Sequence, residues 1–354
     1  MSNTEHVTPS IKETWAARRK NFRPRAVNMS EAKLVEAAPL RPDTGLPLVV
    51  RPSLGDVSLA EWASHNRDYI ERSLLRHGGI LFRGFGLADH DDFDRFLTAV
   101  ALERMYYMEG ATPRVELREK VYTSTEYPSD QSIALHNELN YVVTWPMKIL
   151  FFCVTAAETG GETPIADVRR VYDRIDPKIR QRFSEKGWML VRNFGEHMSL
   201  PWQTSFRLDT RAEMEEYCRK ARVVCEWRGG DRLTTRQVRP AVRRHPRTGE
   251  MVWFNHVAFW HVSSLAPEVR EMFLAEFQTE DLPYNTYYGD GQPIEDSVVE
   301  ELREAYRQET VAFLWEPGDL LMMDNMLVAH GRSPFTGPRK ILVGMGEPCN
   351  GEAG

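Results

Sequence analysis

The chain has 354 residues, 42% hydrophobic and 27% charged, with 45 Lys and Arg against 51 Asp and Glu for a formal charge of −6. That balance excludes disordered, collagen-like and disulfide-stapled classes. Mild acidity also excludes broad nucleic-acid binding, which needs a basic surface to displace counterions from phosphates.

Residues 1–45 carry a basic cluster (Arg18, Arg19, Lys20, Arg23, Arg25) and several prolines without periodicity, and read as an irregular arm before a single domain over 46–350. The start of the chain lacks the apolar core of a signal peptide, and no apolar run approaches the ~18 residues needed to span a bilayer. The four cysteines, Cys153, Cys218, Cys225 and Cys349, form no Cys-x-x-Cys pair. Neither a zinc knuckle nor a dithiol redox site is expected, and a cytoplasmic protein without membrane partners is.

Leu59, Trp62, Tyr69, Ile70 and Leu74 recur at helical spacing before a Gly78-Gly79 stop and the buried strand Ile80–Phe82. An amphipathic helix is expected over 91–101. The segment SIALHNELNYV around residue 136 and the apolar run 148–155 read as strands, the latter followed by a turn at 158–161 and a further strand. An insertion at about 195–300 carries helical spacing at 267–277, and a helix is expected at 296–307. Strands are expected at 311–315, 320–323 and 340–345, with a turn at 316–319. Short strands with Gly/Pro turns and flanking helices specify an α+β domain around a β-sandwich or barrel.

The chain has no phosphate-binding loop, no G-x-S-x-G elbow, no H-E-x-x-H and no G-x-G-x-x-G after a strand. His136 and Glu138 stand out instead. On a strand they share one face while Asn137 points away, and Asn140 joins them if the strand continues. His330 is the candidate third ligand. Two neutral imidazoles and one carboxylate leave positions open on a metal, which suits non-haem Fe(II) receiving a cosubstrate and dioxygen. By spacing alone, a structural histidine is the commoner reading of such a pattern.

From Gly79 to the C-terminus, six ordered motifs are found: Ile80-Leu81-Phe82-Arg83-Gly84-Phe85, His136-Asn137-Glu138, Gly160-Gly161-Glu162-Thr163, Pro317-Gly318-Asp319, Asp324-Asn325 with His330-Gly331-Arg332, and Arg339-Lys340-Ile341-Leu342. On these the chain resembles the Fe(II)/2-oxoglutarate-dependent dioxygenases of the taurine dioxygenase superfamily. It is most similar to the clavaminate-synthase-like group and to hydroxylases of natural-product pathways. The resemblance implies a double-stranded β-helix (jelly roll) core with flanking helices and an insertion between the two metal motifs. It further implies iron bound by His136, Glu138 and His330, and 2-oxoglutarate held at its far carboxylate by Thr163 and Arg339. A guanidinium fork holds a carboxylate through two hydrogen bonds, whereas lysine offers a point charge. Lys340 competes for that role, and since neighbours on a strand face opposite ways only one of the two points inward.

Two departures refine the resemblance. Glu138 stands where taurine dioxygenase has aspartate, as is common in the clavaminate-synthase-like group, and a carboxylate there argues against a halogenase. Val343 stands where the superfamily often has a second arginine, which argues against taurine or another sulfonate as substrate. The implied reaction consumes O2 and 2-oxoglutarate, releases succinate and carbon dioxide, and hydroxylates an unactivated C–H bond. The implied substrate is a small amino-acid-like molecule, free or tethered to a carrier protein that the basic arm could dock. Asn140, Arg236 and His256 are the substrate-binding candidates, and Asp324 and Asn325 are expected to order the turn before His330. The alternatives are desaturation or cyclisation by the same cofactors, and a non-catalytic metal-binding jelly roll.

Overall fold

The computed structural model describes residues 34–105, 116–118, 121–123, 127–195 and 200–351. The basic cluster of the arm lies outside the described residues. The fold is mixed α+β.

An eight-stranded sheet runs in the order Val35–Pro39, Leu48–Pro52, Gly79–Phe82, Leu320–Asp324, Thr144–Thr155, Lys340–Asn350, Val121–Thr123 and Glu116–Arg118. Among the described residues, only Leu48–Pro52 and Gly79–Phe82 pair in parallel. A four-stranded antiparallel sheet runs Thr310–Val311, Ile165–Asp167, Val328–Arg332 and Ile133–His136. The expected arm is therefore shorter than 1–45, because Val35–Pro39 closes a hairpin with Leu48–Pro52 and caps one edge of the large sheet. Its proline sits at the end of an edge strand, where no ladder donor is missed.

The central strand Thr144–Thr155 is buried on both faces, which accounts for its apolar run Ile149–Val154. Ile149, Phe151 and Cys153 join one core with Leu321, Met323, Ile341 and Val343, and this core also takes in Ile165 and Val328 of the smaller sheet. Leu150 and Phe152 face the other way, into a core with Trp62, Ile70, Phe93, Phe96 and Leu97 of the N-terminal helices. Each fully buried Phe or Leu contributes roughly 1.5–3 kcal/mol.

The single helix expected from Leu59 to Leu74 is two, Leu59–His65 and Arg67–His77, broken at Asn66. Asn66 ends the first helix through its amide, which donates to the Trp62 carbonyl at 2.8 Å. The strand expected at 311–315 pairs only at Thr310–Val311. A separate four-stranded sheet orders Val224–Trp227, Leu233–Arg239, Trp188–Phe194 and Tyr284–Tyr288. The inserted sheet thus begins at Trp188, before the expected boundary at 195. Trp202 packs in this unit's own core with Phe194 and Phe206.

Candidate active site

His136 and His330 are cross-strand partners in the smaller sheet, and their ring centroids lie 4.5 Å apart. Glu138 Oε2 lies 3.8 Å from His330 Nε2. One ligand atom from each of the three lies within 4.8 Å of the other two, the only such His/Cys/Asp/Glu group among the described residues. His330 and Glu138 are buried and His136 half-buried. His136 Nδ1 lies 2.9 Å from the Ala134 carbonyl, which can only accept, so the proton sits on Nδ1 and Nε2 is the nitrogen that would bind a metal. Two imidazoles and a carboxylate fit a first-row divalent ion with positions to spare.

Glu138 reaches the histidines by a different route from the one its spacing suggests. The strand stops at His136, and Glu138 lies in a turn where Leu139 adopts a left-handed φ of 54°. Asn325 holds this turn. Its Oδ1 accepts from Glu138 N–H at 2.7 Å, and its Nδ2 donates to the Glu138 carbonyl at 2.8 Å and the Pro146 carbonyl at 2.8 Å. Asn137 Nδ2 donates back to the Asn325 carbonyl at 2.6 Å. Asp324 Oδ1 accepts from Met326 N–H at 2.9 Å, and fully buried His245 donates from Nε2 to Asp324 Oδ2 at 3.1 Å. Asp324 and Asn325 thus order the turn before His330 as expected, and Asn325 also fastens the far carboxylate's backbone.

Thr163 is buried, and its Oγ1 accepts from Trp315 Nε1 at 3.1 Å. No described residue accepts the Thr163 hydroxyl proton. Arg339 lies inward and half-buried while Lys340 is exposed, which separates the two competitors. Arg339 Nε donates to the Gly161 carbonyl at 3.0 Å, and no described residue accepts from its terminal nitrogens. Burial, with the nearby Arg332 charge, pushes the Arg339 guanidinium down to about 10. Gly161 has a φ of 73°, and a Cβ there would lie 2.9 Å from Ala157 Cβ and 3.1 Å from Arg339 Cδ, so glycine lets the arginine stem cross. Arg332 donates to the carbonyls of Tyr127, Pro128 and Gln131, at 2.9, 2.5 and 2.7 Å, and ties down the loop ahead of the His136 strand.

Asn140 does not share a strand face with Glu138, because that strand has ended. It is buried all the same, with Oδ1 2.5 Å from His256 Nδ1, and the His256 ring lies 5.6 Å from that of His136. Burial, then the His136 charge, holds His256 well below the usual histidine range. Arg236 pairs with Glu226 at 2.8 Å across the inserted sheet, which accounts for its charge. Arg239 bonds the Tyr141 and Ala221 carbonyls, at 2.9 and 2.8 Å. Sequence reasoning missed Trp315, though it stands two residues before the Pro317-Gly318-Asp319 motif, and Phe259, whose ring lies 4.9 Å from His136. Phe151 flanks His330 at 5.0 Å.

Residues 36–345 match the family described as "Taurine catabolism dioxygenase TauD, TfdA family". The dapdiamide synthesis protein DdaC of Enterobacter agglomerans is 40% identical over 307 residues, 86% of this chain and 93% of the relative. A clavaminate synthase-like protein of Arabidopsis thaliana is 29% identical over 325 residues, 89% of this chain and 94% of the relative. Among solved structures, the PvcB protein of Pseudomonas aeruginosa superposes with a TM-score of 0.54 at 18% identity, covering 89% of this chain and 92% of that one, a likeness of fold. PvcB is described as an Fe, alpha-ketoglutarate dependent oxygenase from an isonitrile synthetic pathway. With its motifs matched over that span and a relative of this identity along most of its length, the chain belongs to the TauD/TfdA dioxygenase family.

Proposed function

We propose that this dioxygenase uses Fe(II) and 2-oxoglutarate to hydroxylate an unactivated C–H bond of an amino acid or amino-acid-derived small molecule in a natural-product pathway. The observation that carries the reading is the convergence of His136, Glu138 and His330, with ligand atoms within 4.8 Å of one another. The unspent donors of Thr163 and Arg339 support a place for a dicarboxylate. DdaC, by its name a protein of dapdiamide synthesis, supports the place in a biosynthetic pathway. In this reading the eight- and four-stranded sheets form the two walls of a jelly roll, and residues from Val35 onward make one domain.

His136, Glu138 and His330 hold the metal, and Thr163 and Arg339 hold the far carboxylate of the cosubstrate. Bound iron(II) with 2-oxoglutarate supplies activation of dioxygen, coupled to oxidative decarboxylation of the cosubstrate to succinate and carbon dioxide. The chain's contribution is placement. The Ala134 carbonyl fixes the His136 tautomer. Asn325 fixes the Glu138 backbone. Trp315, by donating to Thr163 Oγ1, leaves that hydroxyl proton to point at an anion. Arg339 offers a planar fork that sets the carboxylate's angle. Phe151 and Phe259 pack apolar rings against the histidines, and polar contacts beside such surface are stronger than in water. A substrate carbon held about 1 Å off target loses much of its rate.

The test is Fe(II)- and O2-dependent conversion of 2-oxoglutarate to succinate by the purified protein. Wild type should turn over slowly without substrate, and His330→Ala should not. A wild type that binds iron yet consumes no 2-oxoglutarate contradicts the reading.

A further inference from the structure

Asn140 carries a buried donor with nothing to bond. The residue is 1% exposed, its Oδ1 is engaged by His256 Nδ1, and its Nδ2 has no hydrogen-bond partner among the described residues. Buried amide donors in folded proteins are paired with protein, water or ligand. The surroundings disfavour water, which needs two to four polar partners. Aromatic rings dominate instead: Phe259 lies 4.9 Å from His136 and 5.0 Å from His256, and Trp260 lies 4.7 Å from both His256 and Tyr141. One apolar wall thus spans a metal-ligand histidine and the Asn140–His256 pair.

We propose that Asn140, oriented by His256, is the substrate-recognition group of this site, and that it takes a neutral carbonyl oxygen such as that of a carboxamide in preference to a carboxylate. The proposal rests on the reading of the triad as the iron centre. A carbonyl oxygen is satisfied by one neutral donor, and its remaining surface suits an aromatic wall. A carboxylate stripped of water needs a cation or several donors. Among the described residues, Arg236 is committed to Glu226 and Arg239 to backbone carbonyls, and the fork of Arg339 is reserved for the cosubstrate in the reading above. Arg192 comes within 5.9 Å of the Trp260 ring but stacks closer on Phe194, at 4.8 Å.

The experiment uses matched amides and acids: asparagine and aspartate, glutamine and glutamate, N-acetylalaninamide and N-acetylalanine. Each is titrated anaerobically into the full-length protein loaded with Fe(II) and 2-oxoglutarate, and the perturbation of the visible charge-transfer band is read. At least one amide should perturb the band, with its acid binding about tenfold more weakly. Asn140→Asp keeps the shape and the acceptor for His256 but loses the donor, and should weaken that amide about tenfold. His256→Gln, which unfixes the asparagine, should weaken it too and serves if the aspartate variant does not form the band. Acids that match or exceed their amides, a panel in which no amide perturbs the band, or an Asn140→Asp protein that binds the amide like wild type each overturn the proposal. If wild type forms no band before any probe is added, the iron and 2-oxoglutarate reading itself falls and this proposal with it.

Discussion

Asn325 closes a two-point clasp on Glu138, 187 residues away in sequence, accepting from its N–H at 2.7 Å and donating to its carbonyl at 2.8 Å. Asn325 itself lies between the strands Leu320–Asp324 and Val328–Arg332, the second of which carries His330. The clasp therefore couples the carboxylate's turn to the distal histidine's strand. Since Leu139 holds a left-handed φ that costs about 1 kcal/mol or more, the turn persists because something fastens it.

Replacing Asn325 by Leu strips partners from a buried N–H and two carbonyls. We expect a loss of about 2–4 kcal/mol in stability. Iron affinity should fall about 10- to 100-fold, as when outer partners of metal ligands are removed. Urea denaturation and Fe(II) titration of the same preparation check this. An unchanged metal affinity removes Asn325 from the positioning role.

Arg339 and Lys340 should behave oppositely although they are neighbours. The first points inward with its terminal nitrogens unspent, and the second is exposed. Arg339→Lys should weaken 2-oxoglutarate binding about tenfold or more, because a point charge cannot reproduce the two-bond fork. Lys340→Ala should leave it within about twofold. Equal losses at both positions contradict the assignment.

Trp315→Phe removes the N–H that occupies Thr163 Oγ1 while keeping an aromatic ring in the core. The hydroxyl is then free to rotate away from the cosubstrate. The KM for 2-oxoglutarate should rise about 3- to 10-fold with kcat little changed. A fall in kcat at constant KM points instead to a disturbed metal site.

Acid should destabilise the protein partly through His261. Burial pushes this imidazole down to about 4 from an ordinary value near 6.5. Its Nδ1 accepts from Ser263 N–H at 3.2 Å, a bond that protonation removes. Below pH 6.5 the unfolded chain takes up the proton before the folded one does, so stability falls as pH drops from about 6.5 through about 4. The full effect is on the order of 3 kcal/mol. Urea midpoints across that range should slope less in His261→Gln than in wild type.

Much of the site was legible because its chemistry is dense in short motifs. His136, Glu138 and His330, which the fold brings together, stand in short motifs that can be picked out of the sequence. The route by which Glu138 arrives was not. ELNYV has the composition of a strand, and nothing local announces that Leu139 turns left-handed under a clasp supplied by Asn325. The partner of Arg236 was hidden for a similar reason: a charge in an insertion has no visible partner in sequence, and Glu226 becomes its neighbour only when two strands pair. The edge strand Val35–Pro39 was hidden by its short length and its terminal proline. The buried strand Thr144–Thr155 was legible from residue 148 onward, because burial on both faces writes the apolar run Ile149–Val154, while Pro146 and Lys148 masked its start.

The most direct test of the central claim is anaerobic. Fe(II) and then 2-oxoglutarate are added to wild type and to His330→Ala, and the visible spectrum is read for the weak metal-to-ligand charge-transfer band of a chelated 2-oxo acid. A band in wild type that is absent from the variant is the predicted result. A wild type that binds Fe(II) but stays colourless with 2-oxoglutarate contradicts the account.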